Sequence, residues 1–134
     1  MMLPDLSVPA HLPPIHHLLG GHSIQWNPDQ LELEVSYQAL ESFTNPRGTI
    51  EGGMLCAMLD DVMGLFAYYA NQQQAATTIN LTTDFLRPCL VGIVVTKCRF
   101  IKQGKSILNI ESEAWQNQKL VARSTANFMV LAHA

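Results

Sequence analysis

The sequence predicts an α+β fold in which one long helix packs against a curved antiparallel sheet. Three observations carry that expectation. Only one long stretch, Met54 to about Asn71, has helical periodicity. Before and after it, apolar residues alternate with period two, as half-buried strands do. Short polar turns separate the later strands, which suits antiparallel hairpins. The order is then a strand, the long helix and four further strands, with helix and sheet sharing one core in two layers.

The 134 residues suit a single domain over 1–134, with residues 1–14 as an irregular arm carrying four prolines. A short helix is expected at Ile15–Leu19, ended by Gly20-Gly21. Asn27-Pro28-Asp29 marks a turn. From Leu31 to Ala39, Leu31, Leu33, Val35 and Tyr37 fall on one face and Glu32, Glu34 and Ser36 on the other, which reads as a half-buried strand. Glu41–Gly53 reads as a loop containing Asn45-Pro46-Arg47-Gly48 and closing on Gly52-Gly53.

In the long helix, Met54, Met58, Val62, Leu65, Phe66 and Tyr69 form an apolar stripe. The opposite face holds Cys56, Asp60, Met63, Gly64 and Ala67, which are small and nearly uncharged. A solvated helix would carry Lys and Glu there. Both faces are therefore expected to pack, one on this chain's sheet and the other near a partner. Further strands are expected at Thr77–Leu86, Ile93–Ile101, Ser106–Gln116 and Leu120–Leu131. Their turns fall at Arg87-Pro88 through Gly92, at Lys102–Lys105 and at Asn117–Lys119.

Hydrophobic residues make up 48% of the chain, enough for a packed core, while charged residues make up only 14%. That is well below the usual ~25%, so a lone subunit would expose much apolar surface and a homo-oligomer is expected. The net charge of −3 gives no general footprint for nucleic acid. The N-terminus lacks the basic and apolar regions of a signal peptide, and the stretch Met54–Tyr69 is interrupted by Asp60-Asp61 and is too short to span a bilayer. Cys56, Cys89 and Cys98 lack metal spacing and read as free thiols in a reducing compartment. A cytoplasmic protein without membrane association is expected. His11, His16, His17 and His22 have no metal-ligand partner spacing and read as surface or lip residues, and His133 as part of a frayed end.

Chemistry concentrates where the long helix begins. Two glycines, Gly52 and Gly53, open it. First-turn amides have no intrahelical acceptor and sit at the positive end of the helix dipole. Two readings fit: an oxyanion hole for a carbonyl, or a bend that turns the chain into a crowded helix. Asp60 lies on the reverse face of an otherwise apolar helix, where a carboxylate needs either a task or a hydroxyl or backbone partner. Asp61 flanks the apolar stripe and reads as a local bond at the sheet edge. Eight residues separate Gly52 from Asp60, so they lie about 12 Å apart along one helix. That is too far to act on one carbonyl, where the reacting groups sit roughly 3 Å away. If both serve one site, the carboxylate meets the amide of a second subunit, and a two-fold dimer builds two such sites.

The run Asn45…Gly48…Glu51-Gly52-Gly53…Leu59-Asp60 resembles the signature of the phenylacetate-pathway (PaaI-like) hotdog thioesterases. The stretch Thr78–Pro88 with Gly92, and Gly104 in a later turn, resemble that family's second conserved region. The likeness spans roughly residues 30–131. It implies a hotdog fold, with the long helix wrapped by a curved sheet and subunits joined sheet edge to sheet edge, often as tetramers formed by pairing two dimers. It also implies hydrolysis of acyl-CoA thioesters carrying an aryl or medium-chain acyl group, with no cofactor beyond the CoA of the substrate.

By the same likeness Asp60 matches the catalytic carboxylate, as nucleophile or general base for water. Gly52 matches the amide that polarises the thioester carbonyl, and Asn45 the polar loop residue that helps place the carbonyl or the water. Glu51 and Gly53 fall beside the substrate, while Met63, Gly64 and Ala67 are expected to line the acyl pocket. Arg87, Lys102 and Lys105, with Lys97 and Arg99, are read either as holding CoA phosphates or as a solvated face. Two positions depart from the pattern. Glu51 replaces the usual His and lacks a proton to donate at neutral pH, and Gly64 replaces a Ser or Thr. These departures motivate a second reading, a non-catalytic hotdog module that binds an acyl thioester or fatty acid. A hydratase is disfavoured because no His lies between His22 and His133.

Overall fold

The computed structural model describes residues 12–131; most of the proline-rich arm, His11 and His133 lie outside them. The described chain runs α1 (Pro14–Leu18), β1 (Gly21–Asn27), β2 (Glu32–Ala39), a single 3-10 turn (Glu41–Phe43), α2 (Gly52–Ala70), β3 (Ala76–Phe85), β4 (Gly92–Gln103), β5 (Ile107–Gln116) and β6 (Lys119–Val130). The sheet has six antiparallel strands in the order β1-β2-β4-β5-β6-β3.

Alternation forms the strands. In β2 Leu33, Val35, Tyr37 and Ala39 are buried, and in β5 Leu108, Ile110, Ser112, Ala114 and Gln116 are. These inward residues meet α2, which packs on every strand from β2 to β6. Phe66 of α2 lies edge-on to Trp26 of β1 and to Phe100 of β4, with ring centroids 5.9 and 4.6 Å apart. α2 is long and apolar enough to cross a membrane by length and composition, but here it forms the buried centre of the domain.

Four features differ from the sequence reading. The sheet has a sixth strand, β1, where only Trp26 is buried; as an edge strand paired only to β2, it does not need the full alternation that marks the others. Leu31 is not part of β2: its φ of 48° places it in the left-handed region, and it is exposed. The turn after Phe85 does not make a hairpin either. β3 pairs with β6, so residues 86–91 cross the end of the β5–β6 hairpin to reach β4. Hydrogen bonds fasten the crossing, from Leu86 N to Val121 O and between Leu90 N and Gln116 Oε1.

The fourth difference concerns the helix faces. Met63 and Ala67 are fully buried in this chain's own core, not set against a partner. The curled sheet covers most of the helix circumference. What stays accessible is a narrow stripe through Gly53, Ala57, Asp60, Gly64 and Tyr68.

Candidate active site

The helix start is built by its loop. Asn45 Oδ1 accepts from the backbone N–H of Arg47 (2.9 Å) and of Thr49 (3.2 Å), and its Nδ2 donates to Thr49 Oγ1 (2.9 Å). The turn closes with Gly48 N–H donating to Asn45 O; Gly48 has a φ of 82°, which glycine adopts without strain. Asn45 thus shapes the loop, with one amide proton left over. Glu51 is the N-cap of α2, and its Oε1 accepts from the Gly53 N–H at 2.6 Å. A carboxylate at this terminus is stabilised by the helix dipole. The Gly52 N–H has no acceptor among the described residues. A Cβ at position 52 would lie 3.0 Å from the Phe85 ring, so a side chain there requires that exposed ring to give way slightly.

A cleft of about 550 Å³ opens at this end, lined by Asn45, Arg47, Gly52, Phe85, Arg87 and neighbours. Glu51 and Gly53 adjoin it without lining it. Arg87 also has a structural bond, donating from Nη1 to Leu120 O at 2.7 Å. Among the described residues the Arg47 guanidinium has no ion-pair partner.

Asp60 lines a different cleft, about 620 Å³, with Asp61, Gly64, Leu65, Tyr68, Thr78 and Phe128 among its walls. Asp60 Oδ1 accepts from Thr78 Oγ1 at 2.8 Å, so the hydroxyl partner weighed from the sequence is present. Asp60 Oδ2 has no partner among the described residues. A Cβ on Gly64 would meet nothing nearer than 3.9 Å, so this position opens onto free space.

The chain therefore brings Asn45, Gly52 and Arg87 together, and separately Asp60 and Gly64. Met63 and Ala67 belong to the core and line neither cleft. The basic residues do not gather. Arg99 lies among Glu32, Glu111 and Glu113 at 3.4, 2.9 and 3.6 Å. Burial works to lower its pKa, but Glu113, Glu111 and Glu32 outweigh that and raise it. Lys97 sits over Trp115 at 6.0 Å. Lys102 and Lys105 are exposed beside Gln103, whose Nε2 donates to Asn71 Oδ1 at the far end of α2 from Arg87. They line neither cleft.

The sequence reading missed a buried network. His16 Nδ1 and Tyr37 OH each lie 2.7 Å from Asp61 Oδ2. His16 and Tyr37 are essentially inaccessible, and Asp61 is 9% exposed. His16 is thus no lip residue, and Asp61 reaches across to α1 and β2. The signals were present: His16 stands three residues before the apolar Leu19, on the same side of the short helix, and Tyr37 points inward from β2 with a hydroxyl to satisfy. Burial first, and the Asp61 charge second, push the Tyr37 phenol well above 10.0. Burial alone pushes the Cys89 thiol up to about 11.

A central helix wrapped by an antiparallel sheet, with an amide-bearing helix start and a carboxylate two turns on, defines a hotdog-fold protein. The chain belongs to the thioesterase superfamily, whose sequence model matches residues 47–122. It is similar to a candidate thioesterase related to phenylacetic acid degradation from Ralstonia eutropha, at 33% identity, with 97% of this chain and 92% of that one covered and a TM-score of 0.80. It is similar also to the E. coli PaaI protein of the phenylacetic acid degradation operon, at 25% identity over 96% and 91% of the two chains, TM-score 0.81. A candidate esterase of Saccharolobus solfataricus is 26% identical over 100 residues, 74% of this chain and 70% of that protein.

Proposed function

We propose that this protein hydrolyses acyl-CoA thioesters, with an aryl or medium-chain acyl group, at sites shared between two subunits. The observation that carries the reading is the division of polar groups between two clefts along β3. Asp60 is tied to Thr78 near the start of that strand, and Gly52 abuts Phe85 at its end. β3 is an edge strand with exposed Ile79 and Phe85, suited to pairing with its own copy. Antiparallel two-fold pairing sets the start of one β3 against the end of the other. Asp60 of one subunit then approaches the Gly52 amide of its partner. Tetramers follow where two such dimers pair.

At such a site the Gly52 N–H donates to the thioester oxygen as negative charge develops. Asp60 Oδ2 either attacks the carbonyl carbon, or takes a proton from a water whose oxygen attacks it. In both routes the C–S bond breaks and the thiolate leaves and takes up a proton. After direct attack the acyl group is left joined to Asp60 as an anhydride, which water then cleaves to release the acid and restore the carboxylate. In the general-base route the attacking water itself becomes part of the acid. No metal or cofactor is needed.

The test is free-thiol release across aryl, short-chain and long-chain acyl-CoA substrates, for wild type and for Asp60→Asn at equal folded concentration. Loss of about a thousandfold in turnover by a normally folded variant is the expected result. Equal turnover by Asp60→Asn overturns the assignment. Glu51 on the helix amide and Gly64 in place of a hydroxyl favour the second reading, a non-catalytic acyl-binding module. Saturable binding with no release by wild type on any substrate would establish it.

A further inference from the structure

We propose that α1 forms one wall of the acyl-binding cleft and that the His16–Asp61–Tyr37 contact fixes this wall, so that Ile15 and His16 determine which acyl group is accepted. The inference rests on the assignment of Asp60 as the reacting carboxylate. The two adjacent carboxylates of α2 diverge: Asp60 faces Thr78 and the cleft, while Asp61 turns beneath α1. Nothing in the hydrolytic step uses Asp61.

α1 has five residues and no side-chain N-cap, so it has little stability of its own. It is held by what it buries, Leu19 just beyond it and His16 within it. Desolvating an imidazole and a carboxylate is unfavourable unless they are paired, and here Tyr37 adds a second donor to the same oxygen. The surroundings are fitted to the ring: a Cβ at Gly21 would lie 2.2 Å from His16 Nε2, so a side chain there and His16 exclude each other. With His16 directed inward, Ile15 and Pro13 face the 620 Å³ cleft opposite Leu65, Tyr68 and Phe128. Ile15 remains 44% exposed although it is apolar, as expected of a wall awaiting an apolar ligand. The cleft runs from Asp60 past Gly64 to Tyr68 and Gln73, toward the C-terminal end of α2. An acyl chain whose carbonyl sits at Asp60 would extend along it. Positioned this way, Ile15 contacts the acyl group and His16 is a positioning residue acting through α1.

The experiment measures kcat/KM for a series of straight-chain acyl-CoA substrates from acetyl to dodecanoyl. Wild type is compared with Ile15→Trp, His16→Ala and His16→Asn. Ile15→Trp narrows the cleft from a partly exposed position, and the ratio of long-chain to short-chain kcat/KM is expected to fall about tenfold. His16→Ala is expected to change the same ratio. His16→Asn, whose side-chain amide can still donate to Asp61, is expected to restore it toward wild type. An unchanged ratio in Ile15→Trp overturns the wall. A lower melting temperature in His16→Ala with all substrates affected equally overturns the positioning role. Should wild type hydrolyse none of them, the hydrolytic assignment stands or falls on the aryl substrates alone. The wall is then tested by calorimetric binding of decanoate, which Ile15→Trp must weaken about tenfold and otherwise refutes.

Discussion

At the residue scale, side chains next to one another in sequence are separated by what surrounds them. Asp60 and Asp61 differ by one position, a rotation of about 100° on the helix, and that rotation places one on a cleft and the other in a buried network. The pattern of the sequence draws attention to Asp60, because a carboxylate on a helix face of small residues stands out. It missed the role of Asp61, whose partners come from β2 and from an α1 only five residues long. Removing the Tyr37 hydroxyl tests that network: Tyr37→Phe is expected to cost about 2 kcal/mol of unfolding free energy in urea titrations, as loss of a buried bond to a carboxylate does. Its pH dependence has a defined sign. Folding raises the phenol's pKa above 10.0, so the folded state favours the neutral form. The stability this supplies is fully present below pH 10 and is lost as pH rises through the folded value. Tyr37→Phe should therefore flatten the alkaline arm of the stability curve. Glu51 offers a second test. Glu51→Gln keeps an acceptor for the Gly53 amide but removes negative charge from the helix start. The melting temperature should change little, while kcat on acyl-CoA should rise severalfold as the oxyanion loses a repelling neighbour.

At the element scale, strands with one buried face were legible almost to the residue, because alternation reports burial directly. β4, β5 and β6 follow their expected ranges within a few positions. What was not legible was connectivity. A short turn such as residues 86–91 looks the same whether it closes a hairpin or crosses the end of another one, and only the pairing of β3 with β6 decides. β1 escaped for a related reason: an edge strand has one neighbour and little to bury. The β5–β6 turn was placed correctly, yet its residues conflict with its geometry. Asn117 and Gln118 both have positive φ, 51° and 65°, the pattern of a tight two-residue hairpin turn. Asparagine tolerates that conformation; glutamine gains nothing from it. Gln118→Gly is expected to stabilise the domain by about 1 kcal/mol, read as a higher urea midpoint with unchanged slope. A lower midpoint would mean that the glutamine side chain makes a contact worth more than the strain.

At the scale of the whole molecule, Gly52 and Asp60, about 12 Å apart along α2, open onto two different clefts of one chain. If each working site draws on both subunits, two differently disabled chains should rescue each other. Asp60→Asn removes the carboxylate. Gly52→Pro removes the one first-turn amide without an acceptor, and the fold can accept it: proline suits the first helical position, and Glu51 at φ −62° and ψ 139° already has the extended conformation that a following proline requires. The exposed Phe85 ring must shift to admit the new Cβ. Alone, Gly52→Pro should lower kcat by about a hundredfold or more, as loss of an oxyanion donor does. Unfolded together in equal amounts and refolded, the two variants form mixed dimers as half of the population. Each mixed dimer carries one intact site and one doubly disabled site, so the mixture should recover about a quarter of wild-type turnover. Differently tagged copies confirm that mixed dimers have formed. Recovery on that scale requires a site built across two subunits. Mixed dimers without recovery would place Gly52 and Asp60 of the same chain at each site, and their separation along α2 would then exclude one of them from the reacting carbonyl.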